Sequence, residues 1–138
     1  MINDIDKIFE QTFKASKTLQ QLPDDAISGL LLAIANEIEV EAPSILKANK
    51  KDVSKMAAGD PMVDRLMLNE QRLQNIANSI RSIAKLSSPA GKLVLKKNLK
   101  KGLVLKKMTV PFGVVGIIYE SRPNVTFDTE GACLKSKN

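Results

Sequence analysis

The sequence of 138 residues contains no histidine, and this absence excludes several kinds of catalytic site. A serine or cysteine nucleophile that uses histidine as its base cannot form within the chain. Histidine is also a common ligand of zinc, and the sequence has only one cysteine, Cys133. We therefore expect no metal site and no internal disulfide, and the single cysteine agrees with a reducing compartment.

Aromatic residues are scarce, at 4% of the chain, and long apolar runs are missing. No uninterrupted stretch reaches the roughly 18 apolar residues that a membrane span requires. The first residues, MINDID, carry acids where a signal peptide would carry a basic and then an apolar stretch. With 43% hydrophobic and 26% charged residues, the composition predicts a folded globular protein, which we expect to be cytoplasmic.

Positive charge is present in excess, and one short segment accounts for it. The net charge is +6, and residues 96–107 contain six lysines and no acid. Such a cluster indicates one solvated or anion-facing element, not a generally basic surface. Because the segment has no arginine and no aromatic residue, it does not favour nucleic-acid binding.

Residues 1–90 show the patterns of a helical subdomain. Apolar residues recur at helical spacing, as in Ile27, Leu31, Ile34 and Ile38, and again from Leu73 to Ala84. Helix starts are indicated by Pro23 with two following acids, and by Pro43, Asp60-Pro61 and Asn69. The segment from Ser87 to Gly91 ends this helical part.

Residues 91–111 predict a β-ribbon. Two strand-like runs flank the segment from Asn98 to Gly102, and Gly102 is expected near the turn. Lysines in water would discourage edge-to-edge pairing of such a ribbon. A bare hairpin is marginal by itself, so its apolar positions are candidates for contact with another subunit.

Residues 112–138 predict the start of an α/β domain. The run from Gly113 to Tyr119 does not alternate between apolar and polar residues, which is typical of an inner strand of a parallel sheet. Residues 125–137 follow with a helical pattern, and no second strand comes after them. The predicted fold class is therefore α/β and incomplete, with one strand-helix unit.

The run VPFGVVGIIYESRPNVTFD, from Val110 to Asp128, resembles the gamma-glutamyl phosphate reductase family of the aldehyde dehydrogenase superfamily. Residues 64–68 and the stretch from Pro89 to Gly91 are similar to that family as well. The resemblance covers essentially the whole chain but only about the first third of the family enzyme. It implies a helical subdomain, a ribbon used in homo-oligomers, and the beginning of a Rossmann-type domain that binds NADPH.

The resemblance also implies a reaction. The family converts L-glutamyl 5-phosphate to L-glutamate 5-semialdehyde and phosphate in proline biosynthesis. A cysteine thiolate attacks the acyl phosphate, and NADPH supplies a hydride to the resulting thioester. The family nucleophile lies beyond Asn138, so we expect this chain by itself to be inactive. A membrane or nucleic-acid partner is not implied.

Site residues follow from the same resemblance. Asn124 is the candidate donor to the oxyanion, although an asparagine here would also readily bond its own turn. Arg122 is the candidate substrate-binding residue, with a surface pair to Glu120 as the alternative. Backbone at the carboxyl end of the strand is expected to contact the cofactor, at Tyr119, Glu120, Ser121 and Pro123.

Cys133 is not expected to be catalytic, because no histidine can activate it and it stands among small and apolar residues of a presumed helix. The chain also departs from the family at Lys137, where glycine is usual. We expect Lys137 to occupy a left-handed helix terminus at an energetic cost.

A second class of function remains open from the residues alone. The helices would then form a non-enzymatic interaction module, and the lysine-rich ribbon would bind an anionic partner. Such a binder would lose affinity steeply as salt is added.

Overall fold

The computed structural model of the chain describes residues 2–57, 59–120 and 122–138. Helices fill the first part, a two-stranded ribbon follows, and one more helix comes last. The helices are α1 (Ile2–Gln21), α2 (Asp24–Val40), α3 (Ala42–Val53), α4 (Val63–Leu66), α5 (Glu70–Lys85) and α6 (Pro123–Ser136), and the strands are β1 (Leu93–Asn98) and β2 (Val104–Met108). The predicted helical part and ribbon are thus confirmed.

Local signals set the helix starts as predicted. Asn69 caps α5, because its side-chain oxygen accepts a hydrogen bond of 2.7 Å from the Arg72 backbone N–H. Such a cap satisfies one of the amides that the first turn leaves without a partner and contributes about 1 kcal/mol. Pro43 lies in the first turn of α3, where its missing N–H costs nothing.

The hydrophobic core lies where α2, α5 and α6 pack together. Its largest fully buried side chains are Ile27 and Leu31 of α2 and Ile80 of α5. Complete burial of each such side chain contributes roughly 1.5–3 kcal/mol. Phe127 and Leu134 of α6 pack against this cluster, so the last helix is part of the same core.

A polar network joins α2 to α5 at the edge of this core. Both carboxylate oxygens of Glu39 accept hydrogen bonds of 2.6 Å from the Arg81 guanidinium, and Gln74 donates a third. Hydrogen bonds from Arg81, and then from Gln74, hold the pKa of Glu39 at about 2. Such a fork fixes the relative rotation of the two helices.

Two antiparallel strands form the ribbon, with Lys96 opposite Lys106 and a register irregularity between Leu93 and Leu95. The turn contains Lys101 and Gly102, both with positive φ, so Gly102 lies where the sequence predicts it. All residues of both strands are exposed.

Residues 109–120 form neither a helix nor a paired strand. Phe112 and Ile118 are almost fully exposed, and the valines at 114 and 115 are half-exposed. Asn138 holds the start of this segment, because its side-chain oxygen accepts hydrogen bonds from the backbone N–H groups of Phe112 (2.6 Å) and Gly113 (3.2 Å). The apolar run therefore stands without a sheet neighbour among the described residues.

The apolar face of α1 is exposed as well, with Ile8, Phe9 and Phe13 each more than half accessible. Across residues 2–57, 59–120 and 122–138, none of the helices has both the length and the apolar character to cross a membrane. The end of α6 has the predicted left-handed residue, with Lys137 at φ 62° and ψ 36°. The domain limits at residues 90 and 111 stay predictions.

Candidate functional site

A cavity with a volume of about 390 Å³ lies between α5 and the start of α6. Three parts of the chain line it. Residues 64–68 provide Asp64, Arg65, Met67 and Leu68; α5 provides Arg72, Asn75, Ile76 and Ser79; the start of α6 provides Arg122, Pro123, Asn124 and Asp128. Its size suits a small metabolite, since ligand pockets run from roughly 300 to 1,000 Å³.

One wall is the loop between α4 and α5, and two buried or half-buried side chains fix it. Asn49 of α3 donates to the Leu66 carbonyl (2.9 Å) and accepts from the Leu68 N–H (2.7 Å). Arg72 binds the Asp64 carboxylate (2.7 Å) as well as the backbone carbonyls of Asp64 and Met67. The wall is therefore preorganised by polar contacts from two helices.

A second feature is a carboxylate shared between two arginines. The Glu120 Oε2 atom lies 3.2 Å from Arg65 Nη1 and 3.1 Å from Arg122 Nε. All three side chains are about half exposed, so each pair contributes little stability, on the order of 0.2–1 kcal/mol. Two guanidinium groups on one carboxylate leave one positive charge in excess, which suits an anionic ligand.

Asn124 is the second residue of α6 and faces the cavity. Among the described residues its side-chain amide forms no hydrogen bond, and its catalytic role stays a prediction. The first-turn amides of a helix lack intrahelical partners and carry partial positive charge. In α6, however, Pro123 has no N–H and the Val125 N–H donates to the Arg122 carbonyl (3.1 Å), so the donor that faces the cavity is the Asn124 side-chain amide.

The residues predicted from the sequence are only partly brought together. The cavity is lined by Arg122, Pro123 and Asn124. Glu120 does not line it but forms ion pairs with two residues that do, Arg65 and Arg122. The Tyr119 hydroxyl lies 2.7 Å from the Thr126 hydroxyl and does not line the cavity. Ser121 lies outside the described residues. The predicted pair of Arg122 with Glu120 is present, and it leaves Arg122 at the cavity.

Cys133 lies elsewhere. It borders a separate apolar cavity of about 350 Å³ between α1, residues 114–115 and the end of α6. It is nine positions after Asn124 on α6, which corresponds to about 13 Å along the helix axis. The expectation that Cys133 is not the nucleophile stays a prediction that agrees with this placement.

The sequence did not indicate that the cavity is also lined by Arg65, Arg72, Ser79 and Asp128. One signal was available, because Asp64 and Arg65 stand in a short polar stretch just before the Asn69 cap. Periodicity assigns Ser79 only to the polar side of α5. Its meeting with Asp128 depends on how α6 packs.

Comparisons of the sequence and of the structure with known proteins find relatives of the same name. No protein-family model matches the chain. The gamma-glutamyl phosphate reductase of Chlorobium phaeobacteroides is 50% identical over 138 residues, which are 100% of this chain and 33% of the relative. The reductase of the same name from Bacteroides thetaiotaomicron is 43% identical over the same shares.

Two solved structures are also similar. The crystal structure of gamma-glutamyl phosphate reductase from Thermotoga maritima matches with a TM-score of 0.90 at 32% identity, over 94% of this chain and 32% of that one. The Saccharomyces cerevisiae enzyme of the same name matches with a TM-score of 0.89 at 29% identity, over 96% and 34%. The chain spans about one third of the length of the curated relatives it matches. The resemblance and the incomplete α/β fold class are thereby confirmed.

Proposed function

We propose that this chain is the amino-terminal part of a gamma-glutamyl phosphate reductase. Its whole length is similar to about one third of the length of such enzymes. The complete enzyme would convert L-glutamyl 5-phosphate to L-glutamate 5-semialdehyde and phosphate in proline biosynthesis. The observation that carries this proposal is the meeting of Asn124 and Arg122 at one cavity in a chain with this similarity. By itself the chain is expected to be inactive, since the nucleophilic cysteine would lie outside it.

Asn124 would stabilise the charge that develops during reduction. When a thiolate adds to an acyl carbon, the carbonyl oxygen becomes an oxyanion, and a fixed amide donor lowers the barrier to that step. Asn124 is held at the start of α6, whose core packing fixes its backbone.

Arg122 would bind an anionic group of the substrate, and Arg65 would assist it. Both guanidinium groups already share Glu120, so an incoming phosphate or carboxylate would balance the surplus positive charge. Arginine suits this role because its planar donors match the oxygens of such groups in pairs. Nothing else in the reaction is required of these two side chains.

NADPH, when bound, would supply the hydride. The backbone at Tyr119, Glu120, Ser121 and Pro123 is our candidate for contact with it. The fit is supported by two observations: Tyr119 and Glu120 are about half exposed, and Pro123 lines the cavity beside Asn124. Ligands of open α/β sheets bind beyond the carboxyl ends of the strands, where these residues would lie.

We further propose that the complete enzyme is cytoplasmic and homo-oligomeric. The ribbon supports the second point, because Leu93, Val94, Val104 and Leu105 are each about half exposed on a hairpin that has no other partner within the described residues. A two-stranded ribbon gains stability when another surface covers it. We propose neither a nucleic-acid nor a membrane partner.

The proposal is tested in a complete reductase that contains these 138 residues. Asn124→Ala should lower kcat on the order of 100-fold or more, because one oxyanion donor is lost. The assay follows phosphate-dependent reduction of NADP⁺ with L-glutamate 5-semialdehyde. Asn78→Ala is a matched control, since Asn78 is exposed on α5 and does not line the cavity. An unchanged kcat for Asn124→Ala would remove that residue from the mechanism.

A further inference from the structure

Asp128 differs from the other charged side chains of the cavity. Arg65 and Arg122 each pair with Glu120, and Arg72 pairs with Asp64. The half-buried carboxylate of Asp128 forms no ion pair with any lysine or arginine of the described residues. The hydrogen bond that it accepts there comes from a neutral donor, the Ser79 hydroxyl, at 3.1 Å. A partly buried carboxylate in this position favours a cation as its partner.

The remaining charges of the cavity therefore form two groups that no ion pair within 4.0 Å joins. One is the surplus positive charge of the Arg65, Glu120 and Arg122 group, and the other is the negative charge of Asp128. A simple anion would balance only the first of these groups. A molecule with both an anionic group and an ammonium group would balance both.

The spacing along α6 fits such a molecule. Asp128 is four residues after Asn124, so both side chains lie on one face of the helix, with Cβ atoms about 5–6 Å apart. In a glutamyl chain, four bonds separate the acyl carbon from the α-nitrogen, which gives roughly 5 Å when the chain is extended. An acyl oxygen at Asn124 would thus place the α-ammonium group near Asp128.

We propose that Asp128 recognises the α-ammonium group of an amino-acid substrate, with Ser79 orienting its carboxylate. The inference rests on the proposed function for the identity of the acyl chain. Asp128 is a specificity residue in this assignment: it takes no part in bond making, and it selects an α-amino acid over the same chain without the amino group.

Two stable compounds test the proposal without any turnover. L-Glutamate and glutarate have the same carbon chain and two carboxylates, and only L-glutamate has the α-ammonium group. Isothermal titration calorimetry on a complete reductase containing these residues measures the ratio of their dissociation constants. We expect the unchanged protein to prefer L-glutamate roughly tenfold or more, as a charge-assisted hydrogen bond would give.

The isosteric change Asp128→Asn should abolish this preference and leave the affinity for glutarate nearly unchanged. Glu130→Gln is the matched control, because it removes the same charge from an exposed position of α6 that does not line this cavity. It should keep the preference. Equal or absent binding of both compounds by the unchanged protein would overturn the proposal, as would a preference that survives Asp128→Asn.

A purely structural role for Asp128 has a different outcome. If its bond to Ser79 serves only to join α5 to α6, both Asp128→Asn and Ser79→Ala should weaken the two compounds equally, and that result would also overturn the proposal. Failure of the proposed function is recognised separately. A protein that prefers L-glutamate but shows no phosphate-dependent oxidation of the semialdehyde would keep this inference and refute the reductase assignment.

Discussion

Replacing Gly131 by alanine tests how closely α6 packs on α5. A Cβ atom at this position would lie 3.0 Å from Ile83 Cδ1, 3.8 Å from Ile83 Cγ2 and 3.9 Å from Leu31 Cδ2. Carbon atoms pack best at about 3.5–4.0 Å, so the tip of Ile83 must move to admit the new methyl group. The substitution therefore has a cost that alanine in an open helix does not have.

The expected magnitude follows from two opposing effects. Alanine in place of glycine inside a helix contributes roughly 1 kcal/mol. Moving Ile83 away from its preferred rotamer costs about 0.5–1.5 kcal/mol. We expect Gly131→Ala to change the free energy of unfolding by less than about 0.5 kcal/mol, because the two effects nearly cancel.

Two companion variants separate these effects. Gly29→Ala in α2 meets no atom within 4 Å, so it should contribute the full helix gain of roughly 1 kcal/mol. Ile83→Val removes Cδ1, the atom in closest contact, and in that background Gly131→Ala should recover most of the same gain. Urea unfolding followed by circular dichroism measures the stabilities of the unchanged protein and of the four variants. Equal stabilisation by Gly131→Ala and Gly29→Ala in the unchanged background would refute the close approach.

Three further predictions concern single side chains. The pKa of Glu39 is about 2 in the folded protein and about 4.5 for the free group, so its contribution to stability is present above pH 4.5 and is lost as the pH falls towards 2. Arg81→Met should flatten this pH dependence of the free energy of unfolding, which unfolding experiments at several pH values measure. Lys137→Ala should be less stable than Lys137→Gly by about 1 kcal/mol in urea unfolding. Both variants lose the 2.7 Å bond to the Leu22 carbonyl, but only glycine relieves the left-handed backbone. Equal stabilities of the two variants would contradict this account. In a complete reductase that contains these 138 residues, Cys133→Ser should leave kcat nearly unchanged, and loss of turnover in a folded variant would contradict the expectation that Cys133 is not the nucleophile.

Features that depend on neighbouring residues could be predicted from the sequence. The Asn69 cap and the turn at Gly102 each follow from chemistry within a few residues, whereas the left-handed Lys137 was expected from the resemblance, because glycine is usual at that place. The meeting of Arg122 and Asn124 at one cavity was also within reach, because both stand in one short turn. These predictions needed no knowledge of how the helices pack.

Features that depend on distant residues could not be predicted. Ser79 and Asp128 are 49 residues apart, and nothing in either local sequence indicates their contact. The apolar stripe of α1 shows a similar limit, because periodicity identifies the apolar side of a helix but not what covers it. In the structure, Phe9 and Phe13 on that side are exposed. Pattern gives the direction in which a helix should pack and leaves its partner open.

We infer that the packing of α6 on α5 affects the proposed preference for L-glutamate, because the two contacts involved are neighbours. Gly131 lies three residues after Asp128 on α6, and Ile83 lies four residues after Ser79 on α5. The close approach at Gly131 is thus about one helical turn from the bond between Ser79 and Asp128. A larger side chain at residue 131 would push the two helices apart there and lengthen that bond. We therefore expect Gly131→Val to weaken the preference for L-glutamate over glutarate, although residue 131 does not line the cavity. An unchanged preference in the folded variant would show that the packing at Gly131 and the preference for L-glutamate are independent.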